Sequence, residues 1–479
     1  MLFNSYAFLI FLPVVFLLYW FVYNDKLKQQ NILLLAASYF FYGFWDWRFM
    51  GLLAISTLIC YYTGQRIASA ESAKGRKRWL WLGVVVSLGF LCYFKYFNFF
   101  IQSFADLLNL FGLEAHPLTL HIILPIGISF YTFHGLSYLF DIYNNKIQPT
   151  KSLVNYSLFV SFFPLLVAGP IERATHLLPQ TEKARTFDGS KAVDGLRQIL
   201  WGFFKKIVIA DNCGSLADNI FNNYGELHGS TLVLGIILFS FQTYGDFSGY
   251  SDIAIGTARL FGFEVFKNFN YPYFSRNVAE FWRRWHISLT SWFRDYLYIP
   301  MGGSREGQAK TIRNVFIIFI LSGFWHGADW TFIVWGLLNA LFILPSIVFK
   351  TNRKYLNSVA HGKFLPSVKE FFQMSGTFLL IAFARIFFRS ESMTQAFGYI
   401  KNMFTADLFS LPKVYSGQVF LLMILLVLIE WLGREDNYAL EGIGQKVNSR
   451  VLRWLFYYFI IALIIIYWGE QRLFIYFQF

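Results

Sequence analysis

The chain has 479 residues, of which 56% are hydrophobic, 21% aromatic and 14% charged, and its formal net charge is +13. Soluble domains carry about 25% charged residues, so this composition excludes an ordinary soluble enzyme whose apolar surface fits into one aqueous core. A β-barrel is excluded as well, because the apolar runs are continuous rather than alternating. The positive charge does not call for a nucleic-acid partner. Basic residues flanking membrane spans on the cytoplasmic side account for it, and an anionic substrate or membrane lipid is the other reading.

In chain order, the first 23 residues are uncharged and are followed by Asp25 and Lys26. They lack a basic leader region and a small-residue cleavage site, which predicts a retained helix rather than a signal peptide. Further apolar runs fall near 31–49, 51–67, 79–101, 121–143, 153–170, 196–210, 230–261, 312–326, 330–349, 370–388, 416–432 and 452–468. Many approach the ~20 residues that cross a bilayer as helix, and others suit re-entrant or interfacial segments. The fold class expected is an all-α polytopic membrane protein with roughly 11–13 membrane segments, in one domain over 1–479. Lys26 and Lys28, then Arg66, Lys74, Arg76, Lys77 and Arg78, lie in loops two spans apart. Their charge places those loops in the cytoplasm and Met1 outside. The longest polar stretch, 171–195, follows Phe163-Pro164 and Ala168-Gly-Pro170 and reads as a connecting loop or a re-entrant element. A second polar stretch, 350–369, reads as a cytoplasmic loop. Cys60, Cys92 and Cys213 have no metal or disulfide spacing and are expected to be packing residues, and no metal site is expected.

The densest chemical signal runs over 268–305. A helix from about 278 would put Trp282, His286, Leu289 and Phe293 on one apolar face, with Arg283, Thr290, Ser291 and Arg294 on another. One reading is an interfacial helix with snorkelling arginines. The other sets His286 against an internal cavity, because an ionisable side chain at membrane depth is a functional candidate by default. The turn Gly302-Gly303-Ser304-Arg305 lacks the P-loop pattern, but its glycines and arginine suit the anionic tail of a donor.

The second histidine, His326, lies in Gly323-Phe-Trp-His-Gly327 between two apolar runs. It reads either as a histidine bonding a neighbouring helix or as a general base in a dry site. Of the other histidines, His116, His176, His228 and His361 lie in polar loops, His121 begins a span, and His134 has no partner in the pattern that assigns it a role. The string Asp246-Phe-Ser-Gly-Tyr-Ser-Asp252 lacks Gly-x-Ser-x-Gly and its strand-to-helix setting, so a serine nucleophile is not expected there.

At these residues the chain resembles the membrane-bound O-acyltransferase family, in particular its alginate O-acetylation branch. The strings that carry the resemblance are Pro125 to Phe133, Phe162-Phe-Pro with Ala168 to Arg173, Gly249 to Gly256, Asn268 to Tyr273, Phe281 to Arg305, Phe324-Trp-His-Gly with Trp330-Thr-Phe, and the ending Phe474 to Phe479. The resemblance implies helices around a central tunnel, with a motif core over 121–345. It implies His326 and His286 as the catalytic pair, and Arg283, Arg284, Trp285 and Arg305 on the donor side. The implied reaction passes an acetyl group from cytoplasmic acetyl-CoA toward a polysaccharide or protein hydroxyl outside, as in exopolysaccharide biosynthesis. A separate SGNH-type transferase often completes that transfer. The implied location is the bacterial inner membrane. A D-alanyl transferase acting on teichoic acid shares much of the pattern, and an export component without covalent chemistry is the reading from a different class.

Overall fold

The computed structural model describes residues 1–117, 119–469 and 472–475; among them the backbone is helix and connecting turn, with no strand. The chain forms two compact units, one of residues 1–191 with 258–266, the other of 192–257 with 267–479. Among the described residues, Ala73–Leu110, Trp330–Val348 and Val368–Arg389 are long and apolar enough to cross a membrane, and Tyr6–Val22 and Gly417–Gly433 are shorter apolar helices. The all-α class is therefore present, and the larger segment count read from the sequence rests on shorter or broken pieces. The run 121–143 is helical only over Ile128–Tyr143, and 153–170 is split into Leu153–Ser161 and Phe163–Leu166. Pro164 accounts for the second split, since it has no N–H with which to continue the ladder of the preceding helix. Of the ending Phe474–Phe479, residues 476–479 lie outside the described residues.

In the first unit the Ala168-Gly-Pro-Ile-Glu-Arg173 string is a buried hub. Glu172 is fully buried. Its carboxylate accepts from the Phe266 N–H at 2.6 Å and meets His176 Nδ1 at 2.8 Å. Its own N–H donates to His134 Nε2 at 3.2 Å, which leaves His134 Nδ1 to donate to the Val160 carbonyl at 3.4 Å. Both ring nitrogens of His134 are thus occupied, and this histidine is structural. The polar stretch 171–195 is not a plain loop: it holds the helix Ala174–Thr181 and the start of Gly189–Phe203. Cys60 and Cys213 are buried, as packing cysteines should be, whereas Cys92 is exposed.

The second unit is packed through glycine. A Cβ on Gly202 would lie 2.5 Å from the Gly249 carbonyl oxygen, and one on Gly249 would lie 2.7 Å from that of Gly202. The hairpin of Gln308–His326 and Trp330–Val348 closes in the same way. A Cβ on Gly323 would strike the carbonyl oxygen of Phe332, and one on Gly336 that of Phe319. Close backbone approach of this kind replaces the hydrophobic drive that lipid removes. The second helix of the hairpin starts where it does because the Asp329 side chain caps the Thr331 N–H at 2.8 Å.

Gly336→Ala is expected to cost about 1–3 kcal/mol through overpacking, read as a lower Tm of the detergent-solubilised protein. Gly51→Ala, where open space surrounds the added methyl, should leave Tm unchanged or raise it.

Candidate active site

The helix expected from about 278 is two helices. Val278–Arg284 ends, Trp285 is extended, His286 adopts the left-handed conformation at φ 45° and ψ 53°, and Ile287–Phe293 begins. A left-handed non-glycine residue is held only when its surroundings over-determine it. Here the segment beginning at Asn268 does so. The Ile287 N–H donates to the Asn268 carbonyl at 2.9 Å, and the Asn270 N–H donates to the Arg284 carbonyl at 2.9 Å. The Asn268 side-chain oxygen accepts from the Ser288 N–H at 3.3 Å and the Ser288 hydroxyl at 2.9 Å. The periodicity still separated the faces correctly. Trp282, His286, Leu289 and Phe293 are buried, Arg283, Thr290 and Ser291 are partly exposed, and Arg294 is exposed.

Asn268 also fixes the His286 tautomer. A backbone N–H can only donate, so the Asn268 atom facing Ser288 is its oxygen. Asn268 Nδ2 is turned to the Ser251 hydroxyl at 3.0 Å. His286 Nδ1, 3.1 Å from the same Asn268 oxygen, must therefore carry a proton. His286 Nε2 is left with a lone pair, buried and without a hydrogen-bond partner among the described residues. The imidazole is otherwise held by rings, with Phe247 edge-on at 4.6 Å and Trp325 at 6.1 Å between centroids.

His326 is the last residue of Gln308–His326 and is buried. Its ring packs against Trp325 at 4.9 Å, Trp335 at 5.1 Å and Phe388 at 5.4 Å. Trp325 therefore touches both imidazoles. His326 lines a cleft of about 20 Å³ with Trp282, Trp285, Asn339 and Arg385. That volume holds about one water molecule, so a thioester enters only if side chains move.

The residues read as the donor side separate in the structure. Arg284 is buried and bonds Glu280 at 2.9 Å and the Asn270 carbonyl at 3.2 Å. Arg283 donates to the carbonyls of Asn352 and of Tyr355, the latter at 2.7 Å. These two bonds tie the basic 350–369 loop to the helix. Trp285 lines the cleft, stacked on Phe281 at 5.5 Å. Arg305 is exposed in the glycine turn.

Ser248 supports the expectation that no serine nucleophile operates there. Lys205 Nζ lies 2.8 Å from its hydroxyl but 2.6 Å from the Asp252 carboxylate. An ammonium paired in this way donates to the serine and cannot take its proton. Among the described residues, no group of three or more His, Cys, Asp or Glu is placed to hold a metal ion.

Sequence reasoning missed Arg385, Tyr273 and Asn339. Arg385 lies in Val368–Arg389 and is buried. Its guanidinium sits 4.6 Å from the Trp285 ring centre and donates to the Tyr273 hydroxyl at 2.6 Å. Among the described residues no carboxylate lies within ion-pair distance of it. A desolvated cation–π contact is worth about 2 kcal/mol, while taking an ion out of water costs several. The signal available in the sequence was an arginine within an apolar run, the pattern that marks a functional site by default.

An all-α chain with buried imidazoles beside a cleft inside apolar helices has the character of a membrane-embedded transfer enzyme. The model of the membrane-bound O-acyltransferase family matches residues 6–384, and the chain belongs to that family. It is an O-acyltransferase and a multi-pass membrane protein. It is 39% identical to a probable alginate O-acetylase of Azotobacter vinelandii, over 93% of this chain and 85% of that one. It is 32% identical to a peptidoglycan O-acetyltransferase of Helicobacter pylori, over 100% of this chain and 98% of the relative. A teichoic acid D-alanyltransferase of Bacillus subtilis is 30% identical over 53% of this chain and 66% of its own.

Asn268→Ala strands buried donors at His286 and Ser288, at about 1–3 kcal/mol for each group left unpaired. The expected result is a lower Tm together with lost acyl transfer. Ser251→Ala, which leaves the Asn268 oxygen in place, should be milder in both measurements.

Proposed function

We propose that the protein takes acetyl from cytoplasmic acetyl-CoA and passes it toward hydroxyls of an extracellular or cell-wall polysaccharide. The alginate and peptidoglycan O-acetylating relatives, each aligned over most of both chains, support acetyl over D-alanyl transfer. In this proposal residues 1–479 act as one catalytic domain in the inner membrane of a bacterium, with the amino terminus outside. An SGNH-type transferase outside the membrane completes delivery to the polymer.

His326 is the general base. The observation that carries this role is its position at the cleft, buried among Trp335, Phe388 and Trp325 beside a guanidinium. The acceptor O–H loses its proton to His326 as its oxygen attacks the thioester carbonyl. A new C–O bond forms, the C–S bond breaks, and the imidazolium returns the proton to the departing thiolate. His286 orients a reactant through Nε2, the acceptor nitrogen that the Asn268 clamp leaves open. Trp285 supplies an apolar wall. Arg305, exposed on a glycine turn, is the arginine of the donor set freest to meet a phosphate, while Arg283 and Arg284 shape that side through their bonds to 352–357 and Glu280.

General acid–base help is worth about 10²–10⁴-fold, so His326→Ala in a folded, inserted protein should lose at least that much acetyl transfer from radiolabelled acetyl-CoA. His286→Ala should lose less. A well-folded His326→Ala variant with near-normal transfer would remove this residue from the mechanism, and labelled D-alanyl carrier protein as the preferred donor would favour the other relative's chemistry.

For the orientation, cysteines placed at Lys26 and Gly75 in a cysteine-free variant should resist an impermeant thiol reagent in intact cells. Strong labelling of both from outside would reverse the assignment.

A further inference from the structure

Three polar side chains that line the cleft have more hydrogen-bonding capacity than partners among the described residues. The Arg385 guanidinium has five N–H donors and, among the described residues, one hydrogen-bond acceptor, the Tyr273 hydroxyl at 2.6 Å. Trp282 Nε1 and Asn339 Oδ1 are buried with no partner among the described residues. His286 Nε2, outside the lining of the cleft, has its role above. Trp282, Asn339 and Arg385 line the same cleft as His326. The buried lysines of this unit are ion-paired by contrast: Lys206 meets Asp211 at 2.7 Å and Asp246 at 2.9 Å, and Lys205 meets Asp252 at 2.6 Å.

The Arg385 guanidinium is also held in place. Tyr273 donates onward to the Ser240 carbonyl, so its hydroxyl proton is committed and its lone pair faces Arg385. The Trp285 ring lies 4.6 Å from the guanidinium carbon. A fixed cation with unmet donors and no carboxylate is built for an anion that is absent when the site is empty of reactants. The reaction supplies one. As the acceptor oxygen adds to the thioester carbonyl, the carbonyl π pair moves onto oxygen and creates a transient oxyanion beside the base.

We propose that Arg385 is a catalytic residue that donates to this oxyanion, with Trp282 Nε1 as the second donor. The assignment rests on His326 as the base and deepens that reading. Preorganised donors aimed at developing charge act on the transition state more than on the bound ground state. Collapse of the tetrahedral species returns the pair to the carbonyl, expels the thiolate and frees Arg385.

The test uses full-length protein in lipid nanodiscs. Thiol release from acetyl-CoA is followed with the SGNH-type transferase and the host's extracellular polysaccharide both supplied, beside equilibrium binding of a non-cleavable thioether analogue of acetyl-CoA. Removing one oxyanion donor costs about 10²–10³-fold in kcat, so Arg385→Gln should lose that much. Its KM and analogue affinity should stay within about threefold of the parent, as expected for an interaction made only in the transition state. Arg385→Lys, which keeps the charge without the planar fork, should fall between. It carries the test if the glutamine variant does not fold. A folded variant with unchanged kcat would overturn the assignment. So would a loss confined to KM and analogue affinity, because Arg385 would then anchor the resting donor. A parent protein that releases no thiol from acetyl-CoA would reject the acetyl-CoA reading and this assignment with it. Parent activity retained in His326→Ala but lost in Arg385→Gln would reject the base while leaving the oxyanion role standing.

Discussion

The Asn268 side chain is the constraint on which the site depends. Its oxygen gathers the His286 ring, the Ser288 N–H and the Ser288 hydroxyl, and its amide nitrogen is tied to Ser251. Together with two backbone bonds from the same segment, these contacts stop one helix at Arg284 and start another at Ile287. The break is what lets Trp285 turn toward the cleft and His286 present Nε2 rather than Nδ1. A continuous helix would have satisfied the backbone more cheaply. The asparagine segment replaces some of those lost bonds, taking the N–H groups of Ile287 and Ser288 and donating to the Arg284 carbonyl, and so holds the left-handed residue in place.

Aromatic rings provide the medium around this break. Trp325 contacts both imidazoles, Trp335 and Phe388 enclose His326, and Phe247 caps His286. Rings exclude water and give large, stiff surfaces with few torsions to order. In such surroundings every hydrogen bond and every missing one weighs more. That is why a paired and an unpaired buried cation carry different meanings here. The Lys206, Asp211 and Asp246 cluster is closed, and it holds the described end of the chain through the Ile475 N–H on Asp246 at 2.7 Å. It is architecture. Arg385 at the cleft has no such carboxylate among the described residues.

The glycine contacts set the precision with which these groups meet. His326 is delivered by a hairpin whose two helices touch backbone to backbone at Gly323 and Gly336. A helix pair spaced by side chains could shift by the flexibility of those side chains, whereas one spaced by carbonyl contact has little freedom to slide. Among the relatives, acceptors as different as alginate, peptidoglycan and teichoic acid accompany one family of membrane acyltransferases.

The sequence by itself determined the all-α membrane class, the two histidine motifs and the burial of Trp282, His286, Leu289 and Phe293. Composition and a period of 3.6 are local properties and survive in any packing. It also separated His326 and His286 from the polar-loop histidines by their apolar flanks. It did not reveal the helix break at His286, because the residue that causes it lies 18 positions upstream and periodicity records no such pairing. Nor did it tell Arg305 on a surface turn from Arg284 locked to Glu280, since a motif lists arginines without their partners. The sequence assigned His134 no role, and only the structure shows both of its nitrogens bonded. Asn339 came to the site through packing of the hairpin, and Arg385 through packing of a helix distant in sequence. Which buried polar groups are satisfied is a property of three-dimensional contact, and only the tertiary structure decided it.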